Sequence, residues 1–373
     1  MDNQSGPEDA AAGPPPRGAG TRLATWWRAR PTWLKSVLAL VLVIALGATA
    51  YAFSQAGRGP SPAPSASNGP ATAGNPTSAA PTTPAPTPTP TPEPPTADMN
   101  VLLLGSDNRG DARAAEAQAA AGTPADQRSD MIMLVHIPAD RQKIYGISIP
   151  RDLWVDIPGY GQSKINAALG LGGMPLVAKT VGSLFNTHID HTAMLDFEGF
   201  KTITDGLGGI DVDVTFPFTS THDSRHDFPA GINHLNGAEA LEFVRERYAF
   251  SDGDFQRIRN QQTFLKAVIG KFMSASTLTS PATVRNVVNA VRPYLIVDQG
   301  LDAETLVHLA FSLRNVKPQD AVLFRVPTAG FGVSTDGQSI VLQDPAAISA
   351  LATALAEGKL TDYVAANGFE NGN

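Results

Sequence analysis

The sequence predicts one α/β domain, residues 98–366, carried outside a membrane on a single-helix anchor and a proline-rich tether. Three observations lead there. Strand-like apolar runs and helical patterns stay interleaved from residue 98 onward, the mark of one α/β unit rather than two domains. Ahead of them, Trp33 to Phe53 encloses a charge-free run from Val37 to Ala52. At 1.5 Å per residue this stretch spans about 31 Å, enough for a bilayer core of roughly 30 Å. Between anchor and domain, Pro60 to Thr96 holds 13 prolines in 37 residues, a composition that gives an extended, semi-rigid spacer and no core.

Arg22, Arg28, Arg30 and Lys35 stand before or at the start of the apolar run, against a lone Arg58 beyond it. That asymmetry places the N-terminus in the cytoplasm and the domain outside, as a single-pass cell-membrane protein. Residues 1–32 then form a disordered cytoplasmic tail, 33–53 the transmembrane helix, 54–97 the linker, 98–366 the extracytoplasmic domain and 367–373 a short tail. Ala48-Thr49-Ala50 or Ala50-Tyr51-Ala52 would also serve a signal peptidase, though the apolar run is long for a signal sequence. Either way the domain is exported. The absence of cysteine rules out disulfides and thiolate metal sites. A formal charge of -7 argues against nucleic acid as a partner.

The domain opens with Val101-Leu102-Leu103-Leu104-Gly105-Ser106-Asp107, a buried strand ending in an aspartate. Asp111 to Arg128 is an Ala-rich loop with a short helix. Ser129 to Ile137 is a second strand, which begins with Asp130, and a turn at Pro138–Arg141 folds it back on a third, Lys143 to Ile149. That hairpin sets Asp130 opposite Pro150 and Arg151, and an antiparallel first strand brings Asp107 to the same end. Gly159-Tyr160-Gly161 is a turn. Helical composition follows from Lys164, with Pro175 in a first turn and Leu176, Val177, Thr180, Val181, Leu184 and Phe185 on one face. Phe197 to Thr204 is a helix and Ile210 to Val214 alternates as a half-buried strand. Asn236 and Glu239 make a capping box, and a long helix runs from Asp254 to about Met273 with Phe272 on its buried side. Asp302 and Asp344-Pro345 start two more helices, with strands Ala321–Val326 and Ser339–Leu342 between those starts.

Two residue sets carry chemistry. Asp107 and Asp130 suit magnesium or manganese, which take carboxylates, water and phosphate oxygens; equally, they are a turn aspartate and a strand-start cap. Arg151, Arg245, Arg247, Asp254, Arg257 and Gln261 form the second set. Asp254, Arg257 and Gln261 share one helix face at i, i+3 and i+7. Several guanidiniums on one surface cradle a pyrophosphate. The competing reading is a solvated face of ion pairs with Glu242 and Glu246 as partners. His222-Asp223-Ser224-Arg225-His226-Asp227 has ligand-like spacing but sits in a polar loop with no element to fix it, and His188 and His191 read as helix-end or strand-start residues. No nucleophile elbow, P-loop or dinucleotide-binding glycine pattern occurs.

These segments resemble the LytR-CpsA-Psr family of bacterial cell-wall glycopolymer ligases. The resemblance is carried by Val101–Arg109, Arg128-Ser129-Asp130, Ser148-Ile149-Pro150-Arg151-Asp152-Leu153-Trp154-Val155, Lys164-Ile165-Asn166-Ala167, Asp205–Ile210, Leu235–Leu241, and Val244–Arg247 followed by Asp254–Gln262. It implies a three-layer α/β/α fold with a central mixed β-sheet and an apolar groove for a polyprenyl chain. It implies catalytic roles for Asp107, Asp130 and Arg151, with magnesium or manganese on the two aspartates. Pyrophosphate binding would fall to Arg128, Arg151, Lys179, Arg245, Arg247, Asp254, Arg257 and Gln261, and the Leu176–Phe185 face would line the groove. The implied partners are a polyprenyl-pyrophosphate-linked glycan donor, a peptidoglycan acceptor and the membrane. A hydrolase acting on the same lipid and a non-enzymatic lipid-binding or regulatory module remain the rivals. The long Asp111–Arg128 loop and the His/Asp-rich Thr221–Asp227 stretch depart from the family pattern.

Overall fold

Period-two burial on the first strands decides the architecture. Val101 and Leu103 enter one hydrophobic core, while Leu102 and Leu104 enter another on the opposite face. Met133, Val135 and Ile137 divide from Ile132 and Leu134 in the same way. Strands buried on both faces need helices above and below, which gives the three layers expected. The computed structural model describes residues 97–107, 111–273 and 291–370, with 285, 288, 289 and 372. The tail, membrane helix and linker expected before residue 97 lie outside the described residues, as do Asn108, Arg109 and the side chain of Phe272.

In chain order the elements are β1 (Met99–Ser106), α1 (Ala112–Ala120), β2 (Ser129–Ile137), β3 (Ile144–Ile149), β4 (Trp154–Ile157), β5 (Gly161–Lys164), α2 (Ala167–Phe185), β6 (His191–Leu195) and α3 (Phe197–Gly206). There follow β7 (Ile210–Val214), β8 (Phe218–Thr219), β9 (Asp227–Phe228), β10 (Gly231–Leu235), α4 (Gly237–Arg245) and α5 (Asp254–Met273). The chain closes with β11 (Leu295–Val297), α6 (Ala303–Ser312), β12 (Ala321–Arg325), β13 (Thr328–Val333), β14 (Ser339–Gln343), α7 (Pro345–Ala356) and α8 (Leu360–Asn367).

The central sheet runs β11-β6-β1-β2-β3-β12. It is mixed: β6 is parallel to β1 and β12 to β3, whereas β1, β2 and β3 form an antiparallel meander. Ile132 faces Ile149, so continuing the register sets Asp130 against Arg151. Residues of α3, α4, α5 and α6 fill one core, and those of α2, α7 and α8 fill the other. Each fully buried Leu, Ile or Val there contributes about 1.5–3 kcal/mol.

The helix starts expected at Asn236, Asp302 and Asp344 are capped as the sequence puts them, and Asp111 and Asp196 add two more caps. Asp111, Asp196, Asp302 and Asp344 each accept a backbone N–H at a helix start, and Asn236 with Glu239 forms the reciprocal box. Pro175 follows a kink at Gly172 and Gly173, where Gly173 takes a φ of 65°, so it opens the second segment of α2. By length and composition α2 could cross a membrane, yet half of it is buried in the domain, as a core helix is. The hairpin β4–β5, strand β10 and strands β11 and β13 escaped the sequence reading. Gly161-Gln162-Ser163-Lys164 and the alternating half-exposed β13 lack a continuous apolar run.

One close approach shapes the layer of α3 and α4. A Cβ on Gly237 would collide with the Lys201 carbonyl oxygen, so only glycine fits. Asp205 Oδ1 accepts the Gly237 N–H at 2.7 Å and fastens the contact.

Candidate functional site

Three strand ends converge on one edge of the sheet. β1 delivers Asp107, β2 begins with Asp130 and β3 exits through Pro150 into Arg151. A register shift at Gly105/Ser106 turns the end of β1, and two bonds close it. Asp107 N–H donates to the Arg128 carbonyl at 3.1 Å, and Arg128 N–H donates to Asp107 Oδ1 at 2.8 Å. The Arg128 side chain itself is exposed. Arg151 forms an ion pair with Asp130. Its carbonyl accepts the Asn166 N–H at 3.1 Å, and the Leu153 N–H turns back to Pro150, which ties the exit to β5 and α2.

The other half of the site comes from the junction of α4 and α5. Asp254, the first residue of α5, is shared by three guanidiniums: Arg257 at 3.1 Å, Arg151 at 3.3 Å and Arg247 at 3.3 Å. Burial alone would raise the Asp254 pKa, but Arg257, Arg151 and Arg247 outweigh it and hold the carboxyl below its ordinary value. For Arg151 the same contest ends with the pKa raised, as Asp130, Asp254 and Asp152 overcome burial. Arg257 is only 4% exposed, its pKa is lowered by that burial, and its Nε has no hydrogen-bond partner among the described residues. Asp107 is pushed upward, chiefly by burial and further by the charge of Asp130. Two neighbouring carboxylates are a fitting place for a hard cation.

Glu246 sets the turn between these helices. Fully buried, it accepts N–H groups from Arg247 (2.8 Å), Tyr248 (2.7 Å), Ala249 (3.0 Å) and Thr221 (2.5 Å). Burial would raise its pKa, but these backbone donors hold it low. Glu242 accepts from Ser224 and His226 in the same manner. This corrects two expectations. Glu242 and Glu246 hold backbone amides rather than neutralising the arginines. The His222–Asp227 stretch is therefore fixed, strung between β8 and β9 and pinned to α4. Among the described residues no group of three or more His, Asp and Glu is placed to hold a metal.

An apolar pocket opens beside the cluster, between the sheet and helices α3, α4 and α5. Leu103, Met131, Leu195, Phe200, Val244 and Phe264 are among its lining, and Asp130, Arg245 and Gln261 are among its few polar groups. Arg245 lies over the Phe197 ring at 4.4 Å, and Gln261 Nε2 donates to the Val244 carbonyl at 3.3 Å. Arg151, Arg247, Asp254 and Arg257 thus form one cluster with Asp130, while Arg245 and Gln261 stand at the pocket wall. Lys179 is not brought to this cluster. It lies exposed on α2, whose Val177, Val181 and Phe185 pack into the core on the opposite face of the sheet. The Leu176–Phe185 face is accordingly core, and the residues that line the apolar pocket, chiefly on α3, α4 and α5, had read only as buried helix sides.

A sequence profile of the LytR_cpsA_psr family matches residues 72–357. The cell wall biosynthesis protein LcpA of Corynebacterium glutamicum is 28% identical over 278 residues, covering 66% of this chain and 53% of LcpA. The polyisoprenyl-teichoic acid–peptidoglycan teichoic acid transferase TagU of Bacillus cereus is 35% identical over 208 residues, covering 55% of this chain and 63% of TagU. The chain spans only about half to three-fifths of the length of these relatives. The crystal structure of B. subtilis TagV superposes with a TM-score of 0.59 at 25% identity, over 71% of this chain and 98% of that one.

Proposed function

Since the chain belongs to the LytR_cpsA_psr family, we propose that it transfers a glycopolymer from a polyprenyl-pyrophosphate carrier to peptidoglycan at the outer face of the cell membrane. The observation that carries this reading is the junction of an apolar pocket with a guanidinium cluster. A ligand that fits both halves has a hydrocarbon tail and a multiply charged anionic head. TagU, whose name specifies a polyisoprenyl-linked polymer and peptidoglycan, supports that choice of donor and acceptor.

In the proposed reaction a sugar hydroxyl oxygen of peptidoglycan bonds to the phosphorus joined to the glycan. The bond from that phosphorus to the bridging oxygen breaks, and polyprenyl phosphate leaves with the electron pair. Arg151, Arg247 and Arg257 offset charge building on the phosphoryl oxygens, the dominant form of catalysis for such transfers. Asp254 cannot usefully take the hydroxyl proton, because three guanidiniums keep it ionised. The proton is left to Asp107, whose hold on one is strengthened by burial and by the neighbouring charge of Asp130. Asp107 and Asp130 together would also hold magnesium or manganese, which supplies Lewis-acid neutralisation of phosphate oxygens when bound.

The test uses the full chain in detergent with a polyprenyl-pyrophosphate-linked glycan, with and without peptidoglycan. Transfer predicts glycan covalently on the sacculus and polyprenyl phosphate released only when acceptor is present. Release without acceptor is the result of a hydrolase. No release in either arm is the result of a lipid-binding module.

A further inference from the structure

Helix α5 presents a second chemical face. Arg257, Gln261, Phe264 and Leu265 point toward the cluster and apolar pocket. About 100° or more around the helix, Gln256, Arg259, Thr263 and Lys266 recur at three- and four-residue steps, with Asn260 on the border between the two faces. They line a separate polar cleft roofed by the end of β7 and the segment after it, residues 213–218. A surface helix turned toward open solvent would show such a stripe too, but here another segment of the chain covers it.

One cation in the cleft stands without a close partner among the described residues. Among the described residues no carboxylate or carbonyl partners the Lys266 ammonium, and burial alone lowers its pKa. Arg259 adds a guanidinium, already bonded to Asp252 and Gln256. Asp213 is the single carboxylate in the lining. Gln256 Nε2 donates to Asn260 Oδ1 at 2.9 Å and Asn260 Nδ2 to the Phe243 carbonyl at 3.1 Å, which makes the two amides a fixed polar floor; Thr263 supplies a hydroxyl, and Phe216, 68% exposed, sets an aromatic ring on the rim. A hydroxyl and a ring face suit a sugar's hydroxyls and its C–H face, while a half-buried ammonium with no partner among the described residues calls for an anion.

We propose that this cleft is a second binding site, for a saccharide unit bearing a carboxylate or a phosphate, with Lys266 as the anion contact. The assignment stands on the cleft itself and goes beyond the transfer chemistry, which uses the opposite face of α5. Two polymers carry that chemistry: peptidoglycan, through the carboxylates of its stem peptides, and teichoic-type chains, through their phosphates.

Full chain in detergent is titrated by calorimetry with a muropeptide, with an oligo(glycerol phosphate) and with neutral chitotetraose. Lys266→Met keeps the aliphatic stem and helix propensity, and Lys266→Gln serves if the first fails to fold. At least one anionic probe should bind, roughly tenfold or more weaker in the variant, as for loss of a charged hydrogen bond. Chitotetraose should not share that loss. Muropeptide binding assigns the cleft to the acceptor, and glycerol phosphate binding assigns it to the donor polymer. Hydrolysis or binding of a short polyprenyl pyrophosphate should be unchanged, which separates this site from the cluster. Equal affinity in wild type and variant, or binding of neither anionic probe, overturns the proposal.

Discussion

Asp254→Asn tests the logic of the arginine cluster most directly. The substitution keeps the shape of the side chain and removes one negative charge that three guanidiniums share. Arg257 suffers most, since its side chain is only 5% exposed and cannot turn to water. Removing one partner of a buried ion pair costs about 3–5 kcal/mol. Taking the lower end, at about 2–4 °C per kcal/mol for a domain of this size, the melting temperature falls by roughly 6–12 °C. A pyrophosphate should then repair the variant, because the anion supplies the charge the carboxylate no longer does. Differential scanning calorimetry with and without inorganic pyrophosphate measures both quantities. At a hundred times its Kd a ligand adds about 2.7 kcal/mol, and the gain at any fixed concentration should be larger for the variant than for the wild type. A loss under about 1 kcal/mol, well below the cost of a broken buried pair, or an equal ligand gain in both proteins, would refute the shared-counterion argument.

Arg151→Lys keeps the charge but loses the planar fork, so turnover should drop on the order of 100-fold with little change in melting temperature; single-turnover release of polyprenyl phosphate measures it. Leu241→Trp places bulk in the apolar pocket; KM should rise for donors with a long prenyl chain and stay level for a short one. Stripping divalent cations should lower transfer on the order of 100-fold, with magnesium or manganese restoring it, and Asp107→Asn should resist that rescue. Glu246 makes a pH-dependent contribution. Its pKa is depressed in the folded state, so the stability it adds is complete above about pH 4.5 and disappears as pH falls through the lowered value. The difference between wild type and Glu246→Gln, about 1.5–3 kcal/mol at pH 7 from urea midpoints, should therefore narrow steadily as the pH is taken below about 4.5.

Much of this was written in local pattern. The register of β2 on β3 follows from the hairpin at Pro138–Arg141, and with it the meeting of Asp130 and Arg151. Capping chemistry located α4, α6 and α7 because a side-chain acceptor at a helix start is a one-residue signal. What resisted was anything decided by distant partners. Whether a buried apolar helix face lines a cavity or a core depends on which layer the helix joins, and α2 and α5 look alike in that respect until the sheet order is known. Glu242 and Glu246 sit beside arginines in sequence, yet they turn toward the amides of residues 221–226, a long-range choice that composition does not reveal. Gly237 reads as an ordinary glycine after a cap; only the fold shows the carbonyl pressed against it.

That glycine has a bearing on how the helices over the apolar cavity can move. With Lys201 and Gly237 packed main chain to main chain, and Asp205 clasping the joint, α3 and α4 travel as one body. Phe197 and Arg245, which reach the cavity from those two helices, meet only through their side chains. A change in the cavity's width then falls to side chains such as these, and not to a parting of the two helices.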